Sequence, residues 1–296
     1  AAAFGVAGPV SGLVARMVNV PWVADAEPVG DALHCPVALL NDLEAMAHAV
    51  PVLEPDELAT LQEGVTVPTG NAALIAAAQT VARLSNDAFL QRLALTFQHR
   101  SPVQQPPPGI TGDVLFVQQT RAGLIVIGGP GVNTYDLDRR VLLVIDLGGD
   151  DTYHGTIAAS GDIDHGIGVV IDLAGDDTYT SDPLGLASGR LGVGLLVDLA
   201  GDDVYQLDQG SGGTGFAGIG ILFDRKGNDV YMGNRFTQGA AFGGLGLLVD
   251  LAGNDRYTSH GFAIGFGGPL GMGAVIDRTG NDAYQCGDKY PSSLNQ

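Results

Sequence analysis

Cysteine and basic residues are scarce in this chain of 296 residues. Its two cysteines, Cys35 and Cys286, stand far apart and form no Cys-x-x-Cys motif, which argues against a cysteine zinc site and does not decide whether they pair. Only 14 lysines and arginines accompany 33 acidic residues, so the net charge is −19. Such a charge disfavours nucleic acid and anionic membranes as partners. The sequence also has no apolar run long enough for a transmembrane segment.

Familiar catalytic motifs are missing as well. The sequence contains no Gly-x-Ser-x-Gly, no His-Glu-x-x-His and no P-loop. The histidines are scattered, and one group, His154, Asp162, Asp164 and His165, suggests a small metal or acid–base site. A solvated loop is the simpler interpretation of that group, so the sequence predicts no catalytic residue.

A repeated motif dominates the second half of the chain. It reads apolar run, Asp, two residues, Gly, Asp or Asn, Asp, any residue, Tyr, and it occurs six times at spacings of 26, 26, 26, 26 and 27 residues. A fixed period of this length is typical of stacked repeats, in which each unit buries its apolar face against its neighbours. The period suits one coil of a parallel β-helix and is too short for a four-stranded propeller blade.

Stacking places the aspartates of the motif in two columns. The first column is Asp146, Asp172, Asp198, Asp224, Asp250 and Asp277. The second column is Asp151, Asp177, Asp203, Asp229, Asp255 and Asp282. Coils stack about 4.8 Å apart, and like charges at that distance repel by roughly 3 kcal/mol at an effective dielectric constant near 20. A divalent cation between coils relieves this repulsion, and Ca²⁺ takes six to eight oxygen ligands in flexible geometry.

The acidic turn resembles the calcium-binding nonapeptide of RTX proteins, Gly-Gly-x-Gly-x-Asp-x-apolar-x. Residues 128–135 fit it with Asn133 in place of the Asp, and residues 250–257 fit it with Asp250 and Leu251 in place of the first two glycines. The resemblance covers residues 128–284 and implies that the second column binds Ca²⁺. RTX coils carry two such turns, whereas each coil here has one, so one ion row is expected. The first column is then either an additional set of ligands or a set of turn caps.

A metal-free interpretation of the turns stays open. Asp and Asn in tight turns often accept hydrogen bonds from their own backbone, and Asn replaces the fifth-position Asp at 228, 254 and 281. The tyrosine of each copy is expected in a stacked aromatic column rather than in a sugar-binding strip.

The strand before each first-column Asp is apolar on both faces. Alternation assigns the residues one and three before each Asp to the core, such as Ile145 and Leu143, and the residue between them to the outside. The outer positions form an apolar stripe: Val144, Val170, Leu196, Leu222, Leu248 and Val275. A stripe of this length is normally covered, either by N-terminal helices of this chain or by a protein partner or a second copy.

The N-terminal part has a different pattern. Helical spacing begins near Val37, residues 55–57 are typical of a helix start, and the alanine-rich stretch 71–84 is predicted to be helical. Ser85 or Asn86 then caps a helix to about His99, with Phe89, Leu93 and Phe97 on its apolar face. The predicted domains are a helical segment at 1–101, a proline-rich linker at 102–109 and a repeat domain at 110–296. The predicted fold is therefore mainly β, a parallel β-helix of about six to seven coils with a small α-helical N-terminal domain.

These features together predict a calcium-binding structural or interaction scaffold, or a subunit of a larger assembly, with Ca²⁺ as its cofactor, and they favour a non-enzymatic role. The alternative is a carbohydrate-active β-helix enzyme, which would need a cleft with converging carboxylates and a basic residue outside the two columns. Calcium is abundant outside cells, and the Ala-Ala-Ala start favours a mature N-terminus after signal removal. An extracellular, cell-surface or periplasmic location is therefore expected.

Overall fold

The computed structural model describes residues 86–161 and 165–287 and, before them, the backbone of five short strands within residues 2–41. The chain divides into two compact units, residues 1–76 and 77–296. In the first unit, β1 (Ala2–Val6) pairs in parallel with β5 (Val37–Asn41). Strands β2 (Val10–Ser11), β3 (Val14–Arg16) and β4 (Val23–Asp25) form an antiparallel sheet.

Strand β5 corrects the helix that was predicted to begin near Val37. A short continuous apolar run such as Val-Ala-Leu-Leu fits a buried strand as well as one face of a helix, and here it pairs with β1. The helices predicted near 55–57 and 71–84 lie outside the described residues.

Helix α1 (Asp87–Phe97) begins where the sequence predicted it. The Asn86 side chain accepts a hydrogen bond from the Phe89 N–H at 3.3 Å and thereby caps the helix. The chain division places α1 with the repeats, and also residues 102–109, which were predicted to be a linker. In that segment the Val103 N–H donates to the Val114 carbonyl at 2.7 Å, so it is tied to the repeat domain.

The described residues of the second unit form a β-solenoid with three sheets. Sheet I contains β7 (Phe116–Gln119), β8 (Leu124–Ile127), β10 (Val141–Asp146), β12 (Ile167–Asp172), β15 (Val193–Asp198), β18 (Ile219–Asp224), β21 (Leu245–Asp250) and β23 (Met272–Asp277). Sheet II contains β6 (Ile110–Thr111), β9 (Thr134–Leu137), β11 (Thr152–Ile157), β13 (Thr178–Leu186), β16 (Val204–Leu207), β19 (Val230–Gly233), β22 (Arg256–Ser259) and β24 (Ala283–Cys286). Sheet III contains β14 (Gly189–Arg190), β17 (Gly215–Phe216) and β20 (Ala241–Phe242).

The stacking register confirms the parallel solenoid. Asp146 pairs with Asp172, and the same pairing continues through Asp198, Asp224, Asp250 and Asp277. Six copies of the motif delimit about five complete turns, fewer than the six to seven coils predicted. The first strand pairs of sheets I and II, β7–β8 and β6–β9, are antiparallel and close the N-terminal end.

The two faces of sheet I are the reverse of those predicted. Val144, Val170, Leu196, Leu222 and Leu248 are fully buried inside the solenoid beside the tyrosines, so the predicted outer stripe, which also includes the partly buried Val275, is an interior column. The reason is that Asp146, Asp172, Asp198, Asp224 and Asp250, which the assumed alternation places on the outside, are themselves buried. Since side chains alternate along a strand, an inward Asp reverses the face of every residue before it.

The outer face of sheet I is also apolar, and α1 covers its first strands. Leu90 of the helix packs against Ile145, Ile171 and Val197, and Arg225 forms an ion pair with Asp87 at 2.8 Å. Leu93 and Phe97 contact the outer face as predicted, whereas Phe89 is exposed. A helix of this chain therefore covers an apolar face of sheet I, as predicted. The covered residues are those that were assigned to the core, such as Ile145, and not the predicted stripe. Among the described residues, no helix is long and apolar enough to cross a membrane.

Candidate metal centre

Each first-column aspartate ends a strand of sheet I and points into the solenoid. In the first five of these aspartates, Asp146 to Asp250, the Oδ1 atom accepts a hydrogen bond from the N–H two residues later, as in Asp146 with Gly148 at 2.8 Å and Asp172 with Ala174 at 3.0 Å. This is the turn-cap role that the sequence left open for the first column. The other oxygen of these five, Oδ2, accepts from the tyrosine of the preceding coil, for example from the Tyr153 hydroxyl on Asp172 at 2.6 Å. The Oδ1 atom of Asp277 has no hydrogen-bond partner among the described residues, and its Oδ2 atom accepts from Tyr284 of its own coil.

The tyrosines form the predicted aromatic column. Neighbouring rings from Tyr135 to Tyr284 stack with centroids 4.6–4.9 Å apart. Burial raises the pKa of Tyr153, Tyr179, Tyr205 and Tyr231 well above the ordinary value, with nearby aspartates adding to the effect. These hydroxyls therefore stay protonated and donate to the first column.

The second-column aspartates connect one coil to the next. The Oδ1 of each accepts the backbone N–H of the second-column residue one coil earlier, as in Asp151 N–H to Asp177 and Asp177 N–H to Asp203, both at 2.6 Å. Their other oxygens differ from those of the first column. The Oδ2 atoms of Asp151, Asp203, Asp229 and Asp255 are buried and have no hydrogen-bond partner. Buried carboxylate oxygens without partners are costly, because nothing replaces the water they lose.

In the part of the chain that the structure describes, the two columns meet in five clusters of three carboxylates. Within each cluster, one oxygen from every member lies within 4.8 Å of the others. The clusters are Asp146–Asp151–Asp172, Asp177–Asp198–Asp203, Asp203–Asp224–Asp229, Asp229–Asp250–Asp255 and Asp255–Asp277–Asp282. Each cluster bridges two successive coils. The last four clusters are joined by the shared residues Asp203, Asp229 and Asp255, whereas the first shares no residue with the second. Every predicted metal ligand is thus brought into a cluster that could hold an ion.

The electrostatics of the clusters favour neutralisation. Burial, followed by the charge of the neighbouring first-column aspartate, raises the pKa of Asp151 to about 9, that of Asp203 to about 10 and that of Asp229 to about 9. Burial also raises the pKa of Asp198 and of Asp255 to about 7. A raised carboxyl pKa means that ionisation of this carboxyl group is less favourable in the folded protein than in water. A proton or a cation between the carboxylates removes this penalty.

The fifth-position residues of the motif lie outside the clusters. Asp150, Asp176, Asp202, Asn228 and Asn254 are exposed, and each Oδ1 accepts the backbone N–H of the next coil's counterpart at 2.8–3.1 Å. This ladder works equally well with Asp or Asn, which explains the substitution by Asn in the later copies. Exposed positions of this kind provide natural control sites for substitutions in the buried columns.

The structure also identifies a column member that the sequence did not reveal. The Asp113 N–H donates to the Asn133 Oδ1 at 2.7 Å, which is the contact that second-column residues make between coils. Asp113 therefore precedes Asn133 in the second column. No repeat motif surrounds Asp113, because it belongs to the antiparallel end of the solenoid, so its place could be found only from the contact.

A cleft at the N-terminal end of the solenoid lies outside the two columns. Its volume is about 380 Å³, and Arg121, Asp136, Asp138 and Arg140 line it together with apolar residues such as Leu124. Arg140 forms an ion pair with Asp138 and lowers its pKa through their hydrogen bonds. In the other group proposed from the sequence, Asp162 and Asp164 lie outside the described residues, His154 is exposed, and His165 lines this cleft.

Comparison with known proteins finds similarity to glucokinases over a minor part of the chain. The glucokinase family model matches residues 1–80. Glucokinase from Nostoc sp. (strain PCC 7120 / SAG 25.82 / UTEX 2576) is 35% identical over 77 residues, covering 26% of this chain and 22% of that protein. Glucokinase from Trichormus variabilis (strain ATCC 29413 / PCC 7937) is 36% identical over 64 residues, covering 21% of this chain and 19% of that protein. The chain thus spans about a fifth of the length of these relatives. No solved structure matches the chain.

Proposed function

We propose that the solenoid is a calcium-stabilised scaffold that holds a row of Ca²⁺ ions between its coils. The observation that carries this proposal is the set of buried second-column oxygens that have no partner and face first-column carboxylates. The twelve aspartates carry twelve negative charges, and one divalent ion in each of the five clusters would balance ten of them.

The chemistry of the donors favours calcium over other common metals. All ligands are carboxylate oxygens, which suit hard cations, and no Cys or His belongs to the clusters. Magnesium usually keeps several water molecules, whereas four of the five clusters consist of fully buried residues. Calcium accepts the irregular geometry that a stacked turn offers. The RTX-like sequence of the turns supports the same choice, with the ions shared between coils on one side of the solenoid.

A scaffold of this kind would work where calcium is plentiful, so we place it outside the cytoplasm, at a cell surface or in a periplasm. Metal binding would be coupled to folding, because the carboxylates converge only when the coils are stacked. The role proposed for it is mechanical or organisational, as a rigid rod or a subunit of a larger assembly.

Substitutions that change the number of shared carboxylates test the proposal. Asp203 belongs to two clusters and Asp151 to one. We therefore expect Asp203→Asn to lose two bound Ca²⁺ ions and Asp151→Asn to lose one, relative to the unsubstituted chain. Equilibrium dialysis against buffered Ca²⁺, followed by elemental analysis of protein and buffer, gives the number of ions per chain.

The matched control is Asp202→Asn, which removes the same charge at an exposed position next to Asp203. It should keep the full number of ions. If all three variants bind the same number as the unsubstituted chain, or if the unsubstituted chain binds none, the clusters are not calcium sites.

The cleft supports a second candidate function, a carbohydrate-binding or carbohydrate-active site. It combines Asp136 and Asp138 with Arg121 and Arg140 outside the two columns, which is the arrangement this alternative requires. Carboxylates and guanidinium groups on an apolar floor suit sugar hydroxyls, which both donate and accept hydrogen bonds. Saturation-transfer NMR with neutral mono- and oligosaccharides tests this function. If the unsubstituted chain gives a signal, Asp136→Ala should abolish it, whereas the control Asp150→Ala, outside the cleft, should preserve it.

The similarity of residues 1–80 to glucokinases suggests a further activity for the first unit, namely recognition of glucose. It rests on the likeness alone, over about a fifth of those enzymes. Titration calorimetry with glucose, using galactose as the control sugar, would support it through selective heat release and would oppose it if both sugars behave alike.

A further inference from the structure

Asn133 occupies a place in the second column. Its backbone N–H donates to the Asp151 Oδ1 at 2.6 Å, which matches the Asp151 N–H to Asp177 Oδ1 contact at 2.6 Å one coil later. Its own Oδ1 accepts the Asp113 N–H at 2.7 Å. Asn133 therefore makes both of the inter-coil contacts that an aspartate makes at this position, and it is almost fully buried, with 1% of its surface exposed.

The remaining side-chain atom of Asn133 differs from that of an aspartate. Its Nδ2 donates to the Asp146 Oδ2 at 2.8 Å and lies 3.0 Å from the Tyr135 hydroxyl. In the later coils the corresponding atom is the second-column Oδ2, which has no partner in Asp151, Asp203, Asp229 and Asp255. The amide thus supplies hydrogen atoms to the first column at the place where the other coils present an oxygen.

We infer that Asn133 terminates the ion row, because its amide takes the place of a cation between its own coil and the coil of Asp146. This inference rests on the proposed function and defines where the row begins. A carboxylate at position 133 would lie with Asp146 and Asp151 in the same relation that joins Asp177, Asp198 and Asp203. The row therefore begins at Asp146 and ends at Asp282, and one residue fixes its length.

The substitution Asn133→Asp tests this assignment by extending the row. We expect it to bind one more Ca²⁺ ion per chain than the unsubstituted protein, measured by equilibrium dialysis with elemental analysis. The control is Asn228→Asp, which adds the same charge at an exposed position of the ladder and should add no ion. The inference is wrong if the unsubstituted chain binds calcium while Asn133→Asp gains no ion, or if Asn228→Asp gains as many.

A second variant covers the case in which Asn133→Asp does not fold. Asp151→Asn moves the amide one coil later, so the row should lose one ion, and the amide should supply the first column with a donor when metal is absent. We expect its melting temperature in EDTA to equal or exceed that of the unsubstituted chain. A lower melting temperature in EDTA would show that an amide does not replace the cation. A chain without any bound calcium would overturn both this inference and the proposed function.

Discussion

Gly201→Ala is expected to be one of the most destabilising single substitutions in the solenoid. Gly201 lies in the acidic turn, and a methyl group there would overlap the backbone carbonyl oxygen of Gly175 in the preceding coil, far inside van der Waals contact. The obstacle is backbone, which cannot move without separating the coils. Overpacking typically costs about 1–3 kcal/mol, and we expect this substitution to lie at the upper end because the clash is with backbone. Urea unfolding followed by circular dichroism should show a clear fall in the midpoint.

Gly261→Ala is the matched control, because a methyl group at Gly261 meets no atom within 4 Å. Its free energy of unfolding should stay within about 1 kcal/mol of that of the unsubstituted chain. Equal effects of the two substitutions would contradict the close stacking of the acidic turns. The same argument explains why every copy of the motif has glycine at this position, whichever residues follow it.

The metal-free protein is expected to lose stability as the pH rises from about 5 to 9. The pKa values of Asp198 and Asp255 are about 7, and those of Asp151 and Asp229 about 9, against an ordinary value of 3.8. A carboxyl whose pKa is higher in the folded state favours folding when protonated. The contribution of each such carboxyl to the free energy of unfolding is complete below the ordinary pKa. As the pH rises, each group loses about 1.4 kcal/mol of this contribution per pH unit until its folded-state pKa is reached.

Calcium should weaken this dependence, because the ions replace the protons between the carboxylates. Thermal unfolding at a series of pH values, in EDTA and in Ca²⁺, measures both effects. Stability in EDTA that rises with pH over this range would show that the carboxylates are ionised and accommodated without a counter-charge. That result would contradict the electrostatic description of the clusters.

The repeat period alone predicted much of this molecule. The spacing predicted that Asp146 pairs with Asp172 and Tyr153 with Tyr179 in neighbouring coils, and both pairings occur. The cap at Asn86 was also evident from the local sequence. These features depend on short-range or strictly periodic relations, which a single sequence contains.

Other features depend on burial, which the pattern did not reveal. The faces of sheet I were reversed because Asp146 and its equivalents, although acidic, lie inside the solenoid. The strand at Val37–Asn41 depends on pairing with a distant strand, β1. Asp113 joins the second column through a contact across 20 residues, with no motif around it. In each case a long-range partner outweighed the local pattern.

Thermal unfolding of the whole chain in EDTA and in millimolar Ca²⁺, with the bound metal counted, tests the central claim most directly. The account predicts a large rise in melting temperature with Ca²⁺, a smaller rise with Mg²⁺, and about five Ca²⁺ ions per chain. An unchanged melting temperature and no bound metal would contradict it. The two aspartate columns would then be proton-bridged turn caps, and the solenoid would be a scaffold that needs no ion.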